Sequence, residues 1–378
     1  MRFRPSNLGL MSSSRVDNLS LWGGIRSHGM GLFIALSTLL LSGCNTDPAT
    51  DLLERYASRT GNAIEVDVDL ALQTPAQVYT PLAPRRERLA AVPEIREGLL
   101  DLLDLRQCDL MQLVSERNTS LGRVAKPSQR LIYELKILPA LNRCIATLAD
   151  EPEQKELSAK LAQYRDTKRA GFAPLLFNAI YQTDEMERHF SFGQPPLEPQ
   201  SQGYLAPLVD SLERFALLAQ LNRESEWQTP TFTQELESSY ERLYGTDFGA
   251  RWLSSMALLT QTLEQTSSAL ETRLAGRPIC FNRKQNRQSE ILWNVFVKFY
   301  VGELQPYIAL VEREGREWSR LNLEILDQLS MLDQSRTLLS FLSYDDNSMV
   351  WGPYLRARER HTKAWQELLE QCDLRPGA

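Results

Sequence analysis

Histidine is scarce in this sequence, with three among 378 residues, and that scarcity narrows the chemistry. Hydrolysis near neutral pH most often draws on histidine as a base or a metal ligand. Beyond residue 44 only His189 and His361 remain, far apart and without a regular carboxylate spacing. The short signatures of phosphate, dinucleotide, zinc-protease and serine-hydrolase sites are missing too: no G-x-x-x-x-G-K-S/T, no G-x-G-x-x-G opening a helix, no H-E-x-x-H and no G-x-S-x-G. Paired carboxylates leave an envelope-polymer hydrolase open, but 48 acidic residues supply chance pairs anywhere, so no catalytic residue is singled out. No two cysteines stand at C-x-x-C spacing, so no metal or cofactor site is expected. No apolar run approaches the roughly 20 residues of a membrane-spanning helix, and no internal repeat recurs at a fixed period.

The composition that is present is ordinary for a globular chain: 43% hydrophobic, 24% charged, with 19 Gly and 19 Pro. The length suits one large or two modest domains. The first segment stands apart. Gly31 to Leu41 reads GLFIALSTLLL after a basic lead containing Arg15 and Arg26, the layout of a secretory signal. Its end, Leu41-Ser42-Gly43-Cys44, resembles the lipobox of bacterial lipoproteins. That resemblance implies diacylglyceryl transfer to the Cys44 thiol, cleavage after Gly43 and acylation of the new amino terminus; an ordinary secretory signal ending near a cysteine is the competing reading. Asn45, where an Asp would favour inner-membrane retention, implies the outer membrane, with the folded domain in the periplasm. Residues 1–43 thus read as signal peptide, 44–50 as lipidated tether and 51–378 as one large helical domain.

Residues 1–44 hold four Arg and one Asp, so the remainder keeps 38 basic and 47 acidic residues, net −9. Phosphate neutralisation needs a basic face, so nucleic acid is not an expected partner. An acidic body is also expected not to lie flat on an anionic membrane. Four cysteines follow the leader: Cys108, Cys144, Cys280 and Cys372. An even count in an exported chain points to two disulfides, with three connectivities open. Cys108–Cys144 and Cys280–Cys372 are preferred because each staples one half of the chain; a zinc site and a catalytic thiol are the weaker alternatives.

Along the chain, a helix is expected over 51–60, stopped by Gly61-Asn62. Ile64-Glu65-Val66-Asp67-Val68-Asp69-Leu70 alternates strictly and predicts a strand, and prolines at 75, 81, 84 and 93 extend it into a strap over 63–92. Its carboxylates lack the glycine and further ligands of a calcium loop. From Pro93 onward the period is helical. Leu99, Leu102, Leu103, Leu110, Leu113 and Val114 give one apolar face, and Leu131, Ile132, Leu135, Leu138, Leu141 and Ile145 another; a turn at Gly122 would make these an antiparallel hairpin with Cys108 near Cys144. Pro174 is expected to break the helix over 153–182. Residues 193–203 form a proline-rich loop or sub-boundary. Helices follow near 204–223, 232–243, 247–274, 289–301, 303–329 and 354–371. The fold class is therefore all-α, eight or more helices with an extended N-terminal strap.

Three clusters invite a functional reading. Glu185, Glu187 and His189 read first as a solvated helix end. Trp293, Phe296 and Tyr300 share one helical face at i, i+3, i+7 spacing; core packing is the simpler reading, and a lipid- or ligand-lined groove the second. Arg283-Lys284-Gln285-Asn286-Arg287 reads as a solvated turn, with a lipid-headgroup or anionic glycan contact as its alternative.

The string Glu116-Arg117-Asn118-Thr119-Ser120-Leu121-Gly122-Arg123, with the lipobox and paired cysteines, resembles an uncharacterised family of Gram-negative envelope lipoproteins known only as a domain of unknown function. The resemblance covers nearly all of the chain after the leader and implies no activity. The functional expectation is a membrane-anchored, non-catalytic lipoprotein that binds an envelope protein; an envelope-polymer hydrolase and a lipid or small-ligand carrier are the alternatives. The Cys44→Ala variant is expected to be uncleaved or soluble when membrane and soluble fractions are weighed by mass spectrometry. A membrane-bound mature form of unchanged mass would count against lipidation.

Overall fold

Asp47 fixes where the first helix begins. Its carboxylate accepts from the N–H groups of Ala49 and Thr50, both at 3.0 Å, and Pro48 fills the first helical position, where a missing N–H is harmless. Helix α1 then runs Pro48–Ile64. The structure, a computed structural model, describes residues 47–93, 108 and 110–374. The expectations for Cys44 and Asn45, and for Leu99, Leu102 and Leu103, fall outside those residues.

The strand expected over Ile64–Leu70 does not form, and the described residues contain no strand. Helix α1 continues through Gly61 and Asn62, and Glu65 closes it in the left-handed region, φ 58°, with its N–H returning to the Gly61 carbonyl. The alternation is nevertheless physical. Val66, Val68 and Leu70 pack against the core while Asp67 and Asp69 stay exposed. What is missing is a neighbouring strand. Instead, two glutamine side chains serve this backbone: Gln265 Oε1 accepts from Ala71 N at 2.9 Å, and Gln261 Oε1 from Gln73 N at 2.7 Å. Their amides donate back to the carbonyls of the same two residues. Short helical turns at Pro75–Val78 and Arg85–Arg88 follow.

The body continues with α2 (Leu110–Asn118), α3 (Pro127–Ala149), α4 (Lys155–Ala170), α5 (Phe172–Tyr181), α6 (Ala206–Gln220) and α7 (Leu236–Tyr244). Then come α8 (Phe248–Ala275), α9 (Arg287–Val295), a π-helical segment (Phe296–Leu304), α10 (Gln305–Gln328), α11 (Asp333–Leu342) and α12 (Trp351–Glu370). The break between α4 and α5 falls at Gly171, not at Pro174. Pro174 sits in the first turn of α5, where no intrahelical donor is required. Helix α11 has no counterpart in the sequence reading. Residues 193–203 carry no regular helix but cut no boundary, since Thr46–Ala378 forms one compact unit.

Helix α8 lies at the centre, flanked by α12, α1 and α10. A second apolar cluster gathers Leu110, Ile137, Leu141, Cys144, Leu148 and Leu161 from α2, α3 and α4. Helix α3 belongs to both clusters, since Leu131, Leu135 and Leu138 face the main core. Disulfides join Cys108 to Cys144 beside the smaller cluster and Cys280 to Cys372 at the end of α12. In the chain-entropy account each closure stabilises by about 3–5 kcal/mol.

Among the described glycines, Gly315 has the least room, where α10 meets α8. A Cβ built on Gly315 would stand 2.1 Å from Trp252 Nε1, and Trp252 is itself fully buried against Trp351. Only a residue without a side chain lets α10 come this close. Gly315→Ala is expected to lower stability by about 1–3 kcal/mol, the usual range for overpacking, read as a fall in urea midpoint at constant slope. An unchanged midpoint would show that Trp252 can swing aside.

Candidate functional site

Of the aromatic residues singled out from the sequence, Phe296 and Tyr300 are buried and Trp293 is half-buried against the same core. Phe296 meets Trp293 at 5.8 Å, Tyr300 at 5.4 Å and Trp365 at 5.2 Å between ring centroids. Tyr300 in turn lies 5.0 Å from the His361 ring. A hydrogen-bonded chain runs through the cluster. Trp365 Nε1–H donates to the Tyr56 hydroxyl at 2.8 Å, and that hydroxyl is hydrogen-bonded to His361 Nε2 at 2.6 Å. The buried His361 ring is held neutral. Burial pushes its pKa down to about 3.

The polar cluster Glu185, Glu187 and His189 is taken apart by the fold. Glu187 and Asp184 clamp the turn Arg85–Arg88: Glu187 accepts from Arg88 at 2.9 Å and, with Asp184, from Arg85. This helix end is therefore an ion-paired seam whose carboxylates stay in contact with solvent. His189 points the other way, into the core. Its Nδ1 accepts from Gly249 N–H at 3.2 Å and its Nε2–H donates to the Leu243 carbonyl at 3.0 Å, so both ring nitrogens are engaged in the neutral form. Burial lowers its pKa to about 4, opposed in part by the Leu243 carbonyl.

A large concavity lies instead along the outer side of α10, an open groove of about 1110 Å³. The 3.6-residue period brings Arg313, Arg316, Glu317, Arg320, Glu324 and Asp327 onto one face. Gln220 at the end of α6 forms one wall and Tyr344, beyond α11, the other; Ser319 and Leu323 lie between the charges. Arg320 is held by both oxygens of Glu317, at 2.6 and 2.8 Å, and by Glu324 at 2.6 Å. These hydrogen bonds draw the Glu317 pKa down and raise that of Arg320. Arg316 stacks over the Tyr344 ring at 4.3 Å and donates to its hydroxyl. Asp327 accepts from Arg223 at 3.0 Å. Beneath them Ser319 accepts from Trp351 Nε1–H at 3.0 Å, which ties the groove floor to the core. Such a surface offers fixed, alternating charge and short apolar gaps, the chemistry of recognition. The Arg/Glu ladder was visible in the sequence at i, i+3 and i, i+4 spacing; the walls were not, because they come from α6 and from beyond α11.

A smaller hollow opens where Pro139 interrupts α3. Proline lacks the N–H that would bond Leu135 O, and Thr229 Oγ1 takes that carbonyl at 3.3 Å. The loop so docked brings Trp227 beside Arg169, which donates to the carbonyls of Leu221, Asn222 and Glu224 and lies 4.7 Å over the indole. Arg169 thus closes a loop. Among the described residues no group of three or more His, Cys, Asp or Glu is placed to hold a metal ion, and no helix is long and apolar enough to cross a membrane.

A family model described as a protein of unknown function matches residues 53–376. No curated protein and no solved structure matches the chain.

The two buried histidines make a pH prediction. Both folded-state pKa values, about 4 and about 3, lie below the unfolded value of ~6.5. The unfolded chain therefore takes up protons first as pH falls. Their contribution is complete above ~6.5 and is lost going down toward 4 and 3, at roughly 1.4 kcal/mol per pH unit for each histidine. Urea midpoints are expected to drop from pH 7 to pH 5. His361→Gln, which keeps an acceptor for Tyr56 but does not titrate, should flatten that drop by about half. An equal drop in the variant would place the acid sensitivity elsewhere.

Proposed function

The chain belongs to the DUF3080 family of proteins of unknown function, and from that footing we propose that it is a lipid-anchored envelope protein whose helical body binds a protein partner along the α10 groove. The lipobox-like ending at Cys44 supports the anchor. Cys44 precedes the Asp47 cap by three residues, a reach of ~10 Å when extended, so the helical body is held close to the membrane. The outer membrane, facing the periplasm, is the membrane we assign, and two disulfides suit that oxidising compartment.

The observation that carries the binding role is the groove itself. Its cations are each fixed by a carboxylate or an aromatic face before any partner arrives. Pre-set charge costs little ordering on binding and selects partners by complementarity. Apolar side chains stand at its margins: Met331 follows the end of α10, and Leu217 lies one turn before Gln220 on α6, both exposed. The occupant that fits is a helical or extended protein segment with Arg and Glu in complementary register around one or two apolar residues.

A photo-crosslinker at Gln220 should capture one envelope protein in intact membranes. The double reversal Arg316→Glu with Arg320→Glu should abolish the adduct and weaken binding of the captured protein at least about tenfold, ~1.4 kcal/mol, with the helical circular-dichroism spectrum at the assay temperature unchanged. An adduct that persists at parental yield in the reversed protein would overturn the groove as the binding surface.

A further inference from the structure

Four large apolar side chains that stand in solvent fall in one stretch of chain: Phe281 (80% exposed), Ile291 (46%), Val297 (44%) and Val301 (39%). Val297 and Val301 stand four residues apart on the π-helical segment, and Ile291 precedes them on α9 in the same continuous rod. Arg287, Glu290, Asn294 and Lys298 are the exposed residues among them. The rod runs antiparallel to α1: Arg55 pairs with Glu303 at 2.9 Å, Tyr56 meets Tyr300 at 6.1 Å, and Arg59 lies over Phe299 at 5.6 Å. Its Val301 end therefore lies toward the N-terminal part of α1. Its other end meets Ile64 and Glu65, which share a hollow with Phe281, Asn286 and Gln288.

Phe281 is displayed there by a braced turn. Cys280 is bonded to Cys372. Asn286 caps α9 through Ser289 N at 3.0 Å and also donates to Ile279 O at 2.7 Å. Asn282 and Arg283 both sit in the left-handed region, φ 52° and 61°, and Lys284 N–H returns to Phe281 O at 3.1 Å. A turn anchored at both ends holds the ring outward by construction. Arg277, Arg283, Lys284 and Arg287 stand exposed around it, with Glu370 at 4.0 Å from Arg283 as a partial counter-charge.

We infer that this face, from the Phe281 turn to Val301, lies on a lipid bilayer bearing anionic headgroups. Its cations meet phosphates, and its aromatic and aliphatic side chains enter the interfacial layer. Charge complementarity selects this occupant, and so does the combination: a solvated turn needs no exposed Phe, and an anionic glycan needs no aliphatic row. The net −9 of the chain after the leader does not forbid it. Charges farther than ~8 Å are largely screened at physiological salt, so the local cations decide. The inference deepens the anchored reading, since a second, weak contact beside a lipid gains from effective concentration and would fix the orientation of the body.

The test uses the body from Thr46 onward, one compact unit without the lipidation site. It is mixed with vesicles of phosphatidylethanolamine and phosphatidylglycerol, or of phosphatidylcholine alone. Cosedimentation is expected with the anionic vesicles and at least tenfold less with phosphatidylcholine, falling as salt rises from about 0.05 to about 0.3 M. Lys284→Glu with Arg287→Glu should weaken it at least about 25-fold, some fivefold for each cation removed before the added negative charges are counted. Phe281→Ser and Val297→Ser should each weaken it measurably, while Leu121→Ser, exposed elsewhere, should match the parent. Phe281→Trp should show a blue-shifted emission quenched by brominated lipid. No partition at low salt, or equal partition of the charge-reversed and parent proteins, would overturn the inference. So would binding indifferent to Phe281→Ser and Val297→Ser, which is the behaviour of a purely ionic contact. Because this body never carries the lipid, failure here leaves the Cys44 anchor standing, and failure of the anchor leaves this result standing.

Discussion

A helix that is apolar around most of its circumference must be covered on every side, and α8 imposes that requirement on the rest of the fold. Its buried residues run from Phe248 to Leu270 and include Trp252, Met256, Leu259 and Leu263 as well as a series of hydroxyls. Four of these hydroxyls turn back on their own helix. Ser255, Thr260, Thr266 and Ser267 each donate to the carbonyl four residues earlier. They are satisfied without a partner and leave small, smooth surfaces for α12 and α10 to approach. The Gly315–Trp252 contact is the extreme of the same device. Ser255 also reaches outward, accepting from Tyr307 and serving the Leu197 backbone at 2.9 Å, so the proline-rich segment over 193–203 is fastened to the central helix.

The same burial explains why neither histidine offers surface chemistry. His189 and His361 lie in the walls around α8; His189 is committed to one tautomer by a specific donor and acceptor, and His361 is bound to the Tyr56 hydroxyl. Histidine scarcity narrowed the chemistry in the sequence; burial removes the remaining two from the surface. What they confer instead is a dependence of stability on acidity. The displaced carboxylates shift in the same direction for a different reason, held charged where burial holds the histidines neutral. Glu271 and Glu317 are drawn down by hydrogen bonds from Arg360 and Arg320, which keeps them charged and makes them geometric elements of the surface.

Net charge proves a poor guide to local surface. The chain is acidic overall, yet the Phe281 turn is ringed by cations and the α10 groove alternates signs along one helical face. Screening over about 8 Å makes each patch answerable mainly to its own residues. One body can therefore carry a basic, partly apolar face and a mixed-charge groove without conflict between the two.

The sequence by itself determined the helical class, the apolar faces of the long helices, and the even cysteine set with its preferred pairing. These are local periodicities or counts, and a window of a few turns contains them. It misread the alternation over Ile64–Leu70 because a period of two reports only that one face is buried; whether a strand or two glutamine side chains meet the backbone lies two hundred residues away, at Gln261 and Gln265. Likewise, the grouping of Glu185, Glu187 and His189 was a sequence neighbourhood that the fold divided between an ion-paired seam and the core. Only tertiary structure decided that Phe296 and Tyr300 face inward, that Tyr344 and Gln220 wall the groove, and that Phe281 faces outward. The physical reason is the same in each case: a sequence pattern states which face of an element is apolar, and packing alone states what covers it.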